Sequence, residues 1–348
     1  MKLSIGIVGL PNVGKSTLFT ALTKKKVDVS NYPFATIDPN VGIVEVPDDR
    51  LSQINSVYKA PKVVPTVIEF VDIAGLVRGA HKGEGLGNKF LSHIREVDVI
   101  CQVVRGFSDA DVTHVSGKVD PQSDIETINT ELIFADLATV SSRMKDIESK
   151  AKSGDKESLK SLSVFKKIQK LLDQGEMLSQ AGLSRDELLV IYDVHLLTIK
   201  PMMYILNVDE QEAGQPVADR LVISAKVESE LSELSSTEAV EYLRTLNLES
   251  SGLDRLIAAA YDQLGLITFF TAGPTEVHAW AIERDSTAPQ AGGKIHSDFE
   301  ERFIRAEVIR WQEVVELGGE SGAREKGKIH IEGKEYIVQD GDVIYFRI

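Results

Sequence analysis

The stretch Gly9-Leu10-Pro11-Asn12-Val13-Gly14-Lys15-Ser16 stands between an apolar run, Leu3 to Val8, and the helical pattern Thr17-Leu18-Phe19-Thr20-Ala21-Leu22. Strand, then G-x-x-x-x-G-K-S, then helix is the setting that gives this spacing a mechanical meaning. The two glycines let the backbone curl until successive N–H groups point inward at phosphate oxygens. The helix behind the loop adds the positive end of its dipole. Lys15 supplies a point charge for the β- and γ-phosphates, and the Ser16 hydroxyl is a hard oxygen suited to Mg²⁺. Asn12, Val13, Gly14, Lys15, Ser16 and Thr17 are therefore expected along the phosphate chain of a nucleotide. The fold expected around such a loop is a doubly wound α/β sheet.

Downstream, Asn31-Tyr32-Pro33-Phe34-Ala35-Thr36-Ile37-Asp38-Pro39-Asn40 is polar and punctuated by proline, so it reads as a loop. It lies where a nucleotide-sensing switch would cross the γ-phosphate, with Thr36 as its Mg²⁺ ligand; the alternative is that Thr36 caps a turn. Strands are expected at Val41 to Val46 and Val63 to Val71. The second runs into Asp72-Ile73-Ala74-Gly75, where Asp72 would hold Mg²⁺ through water and the Gly75 N–H would follow the γ-phosphate. Together the three pieces look like a switch GTPase of the translation-factor class. Many such proteins place Gln after Asp-x-x-Gly to orient the attacking water, but here the residue is Leu76, which cannot hydrogen-bond water. Leu76 to Asn88 then holds four glycines in thirteen positions, a segment costly to order.

The loop Gly9 to Ser16, then Phe34-Ala35-Thr36-Ile37, then Asp72-Ile73-Ala74-Gly75-Leu76-Val77-Arg78-Gly79-Ala80-His81-Lys82-Gly83-Glu84-Gly85-Leu86-Gly87-Asn88 closely resemble the Obg-like ATPase (YchF) family. The resemblance runs essentially end to end. It implies a hydrophobic residue in place of the catalytic Gln, as Leu76 is here. It also implies that a loop histidine at the position of His114 replaces that Gln, with His81 as runner-up. Unaided, a histidine in a solvated loop such as Gly106 to Ser123 reads as a surface residue. Asn12 adds a further expectation, since an Asn at this place in the loop can help hold K⁺ beside the phosphates.

From Ile125 to about Lys200 glycine becomes scarce, and Lys, Glu, Ser and Leu dominate. Ile133, Leu137, Val140, Met144 and Ile147 recur at helical steps, Ser153-Gly154-Asp155 breaks the run, and Leu162, Phe165, Ile168 and Leu172 mark a return helix. The reading is a helical hairpin inserted in the nucleotide domain and projecting from it, its charges either a solvated face or a docking arm. The nucleotide domain resumes with the strand Pro201 to Leu206 and Asn207-Val208-Asp209-Glu210. Guanine-specific relatives carry Asn-Lys-x-Asp here, and the Asp carboxylate accepts from guanine N1–H and N2–H₂ at once. Val208 and Glu210 degrade that clamp, while the Asn207 amide can serve either purine. Ser224-Ala225-Lys226 after the strand Arg220 to Ile223 is the loop that backs the base. The family resemblance agrees, implying Asn-x-x-Glu, ATP accepted at least as well as GTP, hydrolysis of ATP, and a regulatory association with ribosomes. A GTP-preferring switch, or a nucleotide-gated ribosome-binding module with negligible hydrolysis, remains the alternative.

Glu228 to Leu248 reads as helical and acidic, and Gly252 opens another helix. Short strands are expected from Ile267, including Val277 to Ile282, then a helix from Lys294 with Phe299, Phe303 and Ala306 on one face. Gly327 to Phe346 shows strand alternation broken by glycine turns and resembles a TGS domain, a ubiquitin-like β-grasp module. Lys294, Arg302, Arg305 and Arg310 are candidates for RNA phosphate, against a protein-docking alternative. Trp280 and Trp311 read as packing residues. The expected domains are residues 1–124 with 201–266 for nucleotide, 125–200 for the hairpin and 267–348 for the β-grasp module.

The bulk numbers bound the rest. The 348 residues are 43% hydrophobic and 26% charged, ordinary for a globular chain of two or three domains. A net charge of −14 argues against a chain-wide electrostatic footprint for nucleic acid. The single cysteine, Cys101, lies in an apolar run, excludes an internal disulfide and fits a reducing compartment. With no signal peptide and no apolar run near ~18 residues, the expected location is cytoplasmic, away from membranes.

Overall fold

The structure, a computed structural model, describes residues 3–24, 40–73, 86–108, 119–151, 155–217 and 219–348. Chain order begins β1 (Ser4–Val8), α1 (Lys15–Lys24), β2 (Val41–Glu45), α2 (Asp49–Tyr58), β3 (Lys62–Val64), β4 (Val67–Asp72), α3 (Leu86–Glu96) and β5 (Val99–Arg105). It continues through α4 (Pro121–Ala151), α5 (Lys156–Asp173), α6 (Arg185–Ile191), β6 (Met202–Asn207), β7 (Leu221–Ile223), α7 (Ala225–Leu231), α8 (Ser236–Thr245) and α9 (Gly252–Gln263). The remainder is β8 (Leu266–Ala272), β9 (Glu276–Glu283), α10 (Ala288–Ile295), α11 (Ser297–Glu301), β10 (Arg305–Arg310), α12 (Trp311–Leu317), α13 (Glu320–Glu325), β11 (His330–Glu332) and β12 (Asp342–Arg347).

The first sheet runs β2-β4-β1-β5-β6-β7, and β1 pairs in parallel with both β4 and β5. Every residue of β5 is buried, as expected of a strand covered on both faces. This is the doubly wound α/β arrangement expected from the loop at Gly9. The second sheet runs β11-β10-β12-β8-β9-β3. Within it β8 and β9 form an antiparallel hairpin, α10 follows, and β12 lies parallel to β8 and antiparallel to β10. That order is the β-grasp arrangement.

Two compact units divide the chain. Among the described residues, the first takes those of 1–26, 36–42 and 69–255, and the second those of 27–35, 43–68 and 256–348. The cut differs from the expected boundaries because residues 43–68 join the C-terminal residues. Their β3 extends the second sheet in parallel with β9, in register Lys62↔Glu276 to Val64↔His278. Leu51, Ile54 and Ala60 are buried in one core with Phe270, Val277, Ile309 and Val343. The single strand expected at 63–71 is two, β3 and β4, with Pro65 between them.

Two further expectations change. The helix carrying Phe299, Phe303 and Ala306 ends at Glu301, and Ala306 lies in β10. Arg305 to Arg310 alternates with period two: Ala306 and Val308 enter one core, Ile309 the other. The helical run expected over 228–248 is two helices, and Ser235 starts the second with a capping box to Glu238. In the insertion, α4 and α5 pack against each other within the first unit. Ile133, Val140, Met144, Phe165, Ile168 and Leu172 are buried as their spacing requires. Asp155 caps α5 by accepting from Ser158 N.

Candidate functional site

The parallel strands of the first sheet all deliver their C-terminal ends to one region, the usual place for a ligand in such sheets. The loop 9–14 follows β1, Asp72 ends β4, Phe107 follows β5, Asn207 ends β6 and Ser224 follows β7. A cleft of about 1130 Å³ is lined by Asn12, Gly14, Lys15, Ser16 and Thr17 together with Asn207, Val208, Glu210, Ser224 and Ala225. Residues 190 positions apart in sequence thus share one cavity wall, as the motif reading requires.

Local geometry explains the residue types. At Gly9 a Cβ would stand 2.5 Å from Val103 O, so no side chain is possible there. Gly14 has φ 95°, and its Cβ would meet Asn207 Nδ2 at 2.2 Å. Asn12 takes a left-handed φ of 63°, a conformation Asn tolerates better than most residues. Lys15 opens α1, and its Nζ donates to Leu10 O at 2.7 Å. Burial pulls this ammonium below the usual lysine range, while the neighbouring Asp72 pulls the other way. The same burial raises the Asp72 carboxyl, opposed by Lys15. An ammonium and a carboxylate share a partly dry pocket.

The base end shows a difference from expectation. Asn207 Nδ2 donates to Val13 O at 2.9 Å, and Asn207 Oδ1 accepts from Ala225 N at 2.9 Å. Its amide is a strut between the phosphate loop and the 224–226 loop, not an arm free to read either purine. Asp209 Oδ2 accepts from Ser108 N at 3.2 Å. Glu210 Oε2 lies 3.5 Å from Lys226 Nζ. Ser224 is buried, and its hydroxyl has no hydrogen-bond partner among the described residues although it lines the cleft. A buried hydroxyl left open toward a cavity is a place for a ligand's polar atom.

Thr36, Gly75, Leu76, His81 and His114 lie outside the described residues. The described donors fit a Mg²⁺ site in kind, because the Ser16 hydroxyl and the Asp72 carboxylate are hard oxygens on one cavity. Sequence reasoning missed Phe107, Ser108, Gln211, Ser229, Glu230 and Leu246 in the cleft wall. Phe107 had a usable signal, its place just past an apolar strand. Leu246 had none, because its position depends on how α8 packs. Phe107 is backed by the buried Arg105, whose guanidinium sits 4.4 Å from the ring centroid.

Family models match in two places. One described as 50S ribosome-binding GTPase covers residues 4–134. The YchF-GTPase C-terminal model, described as a protein of unknown function, covers residues 266–348. Full-length likeness is closer. The chain is 50% identical to the Ribosome-binding ATPase YchF of Bacillus subtilis, covering 100% of this chain and 99% of that protein. It is likewise 50% identical to the protein of the same name from Haemophilus influenzae, with 100% and 99% covered. Among solved structures, the Schizosaccharomyces pombe YchF GTPase superposes with a TM-score of 0.87 at 36% identity, over 99% of this chain and 98% of that one.

Proposed function

The chain belongs to the YchF family, and from that premise we propose that it is a P-loop nucleoside triphosphatase that binds and hydrolyses ATP and associates with ribosomes. The observation that carries the reading is the continuity of one cleft from Lys15 and Ser16 to Asn207, Glu210 and Ser224. Loop N–H groups and Lys15 hold the triphosphate, and the reaction is attack of water on the γ-phosphorus with departure of the diphosphate. The low Lys15 pKa is corrected when an anion enters, since a phosphate opposes the desolvation that lowers it. Mg²⁺, held by Ser16 with Thr36 and by Asp72 through water, would neutralise charge on the phosphate oxygens. K⁺ beside Asn12 and a water oriented by His114 belong to the same proposal, as does the Gly75 N–H on the γ-phosphate. Phe107 offers a flat face for the base.

Base choice follows from the strut. With Ala225 N–H already given to Asn207 Oδ1, a donor that would suit the 6-oxo group of guanine is taken. Adenine asks for no donor there. Competition binding of ATP and GTP tests this: ATP at least as tight as GTP is expected, and a strong GTP preference would establish the guanine-switch alternative. Steady-state hydrolysis in K⁺ and Na⁺ tests the Asn12 role, with equal rates removing it. If nucleotide-dependent co-sedimentation with ribosomes survives His114→Ala while hydrolysis falls, the molecule is a switch that hydrolysis resets.

The C-terminal residues 267–348 are proposed as the TGS module, with the hairpin as a separate contact. Two of the C-terminal arginines are engaged, Arg305 with Glu307 and Arg310 with Asp342. On α5, Lys156, Lys160, Lys166 and Lys170 are all exposed. This favours the hairpin as the route to ribosomal RNA phosphate. Replacing those four by Gln is expected to flatten the salt dependence of ribosome binding. An unchanged salt slope would point to the C-terminal module.

A further inference from the structure

Helix α8 has no buried side chain of its own, yet the residue capping its C-terminus, Leu246, lines the cleft. One turn earlier, Tyr242 turns its hydroxyl to two carboxylates that line the same cleft, Glu230 and Glu210. It donates to Glu230 in a short hydrogen bond and lies 3.4 Å from Glu210 Oε1. The other oxygen of Glu210 lies 3.5 Å from Lys226 Nζ. Both oxygens of Glu210 are therefore engaged from the protein side. The hydrogen bond to Glu230 also raises the Tyr242 pKa, so its hydroxyl keeps its proton.

Reading guanine with a carboxylate needs both oxygens free, one for N1–H and one for N2–H₂. A glutamate, longer by a methylene than aspartate, has the reach to adopt that geometry unless something holds it. We propose that Tyr242 is a positioning residue for base choice, holding Glu210 against α8 and away from the two-donor contact that guanine would make. Adenine, with an amino donor at C6 and an acceptor at N1, loses nothing by this restraint. The proposal rests on the cleft being a nucleotide site, and it assigns to α8 a part in selectivity that the Asn207 to Glu210 segment does not carry alone.

The test is the Kd of fluorescent ATP and GTP analogues for the full chain and for Tyr242→Phe, with thermal unfolding as a check on folding. The phenyl ring keeps the packing and removes only the hydroxyl. GTP is expected to tighten relative to ATP by about threefold to tenfold, the weight of one hydrogen bond. In a Glu210→Gln background the same substitution is expected to leave the ratio unmoved, because the group being positioned is altered. Lys226→Met, which frees the other oxygen, is expected to shift the ratio in the same direction. An unchanged ratio in Tyr242→Phe with both nucleotides still bound overturns this proposal alone. So does equal weakening of both nucleotides, which would make Tyr242 a plain support of α8. A wild-type chain that binds neither nucleotide overturns the nucleotide reading and this proposal with it.

Discussion

Lys15→Met is expected to lower the hydrolysis rate about a hundredfold or more, the usual weight of one preorganised charge at a developing anion. The check is steady-state phosphate release beside unchanged thermal unfolding. Cys101 makes the opposite kind of prediction. It is fully buried in β5, and burial pushes its thiol up to about 12. At pH 8 a maleimide is expected to label it only after denaturant is added; labelling of the native chain would show that β5 opens. At this scale most of the candidate site was legible in the sequence. The glycines, Lys15, Ser16 and Asp72 are constrained by chemistry that local spacing records. Asn207 was legible as a site residue but not as a strut, because its partners Val13 and Ala225 are set by the pairing of strands distant in sequence. Tyr242 carried no signal at all: its meaning lies in two glutamates that tertiary packing brings to it.

Single side chains tie elements together at places where periodicity is silent. Asp136, buried on α4, accepts from Leu197 N, Thr198 N and Thr198 Oγ1, fixing the approach to β6. Burial raises its carboxyl and those three donors oppose the rise. Asp136→Asn puts an amide in place of one acceptor oxygen and is expected to cost about 2–3 kcal/mol, measured by urea unfolding. Glu307 on β10 does similar work, accepting from Arg347 and Arg324. The Arg347 hydrogen bond is the largest reason its carboxyl is drawn down to about 2 from an ordinary 4.5. A depressed folded-state pKa gives stability that is complete above the unfolded value and is lost as pH falls. The window is therefore from about 4.5 down to about 2, and Glu307→Gln is expected to flatten the thermal-unfolding profile there. Element reading failed where two periods compete. Arg305 to Arg310 sits after Phe299 and Phe303 at helical spacing, yet its own alternation places Ala306 and Ile309 in different cores.

At the scale of the whole molecule, the fold class was readable but the partition of the chain was not. Nothing local in Asp49 to Val64 announces that α2 and β3 belong with residues 200 positions later. Their membership is written in tertiary contacts: Thr66 Oγ1 donates to Ala279 O across 213 residues, and Tyr58 and Tyr345 hydroxyls meet at 2.5 Å across 287. A chain truncated after residue 266 is accordingly expected to leave Leu51 and Ile54 without their core and to bind a hydrophobic dye or aggregate. A clean monomer with native nucleotide affinity would refute that. The same feature has a consequence for synthesis. The amino-terminal third emerges carrying a helix and a strand whose partners are not yet translated. A β-grasp that borrows its sixth strand from so far upstream completes only when the last residues leave the tunnel. Loops of this length close slowly, so the finished second unit certifies that the entire chain has been made.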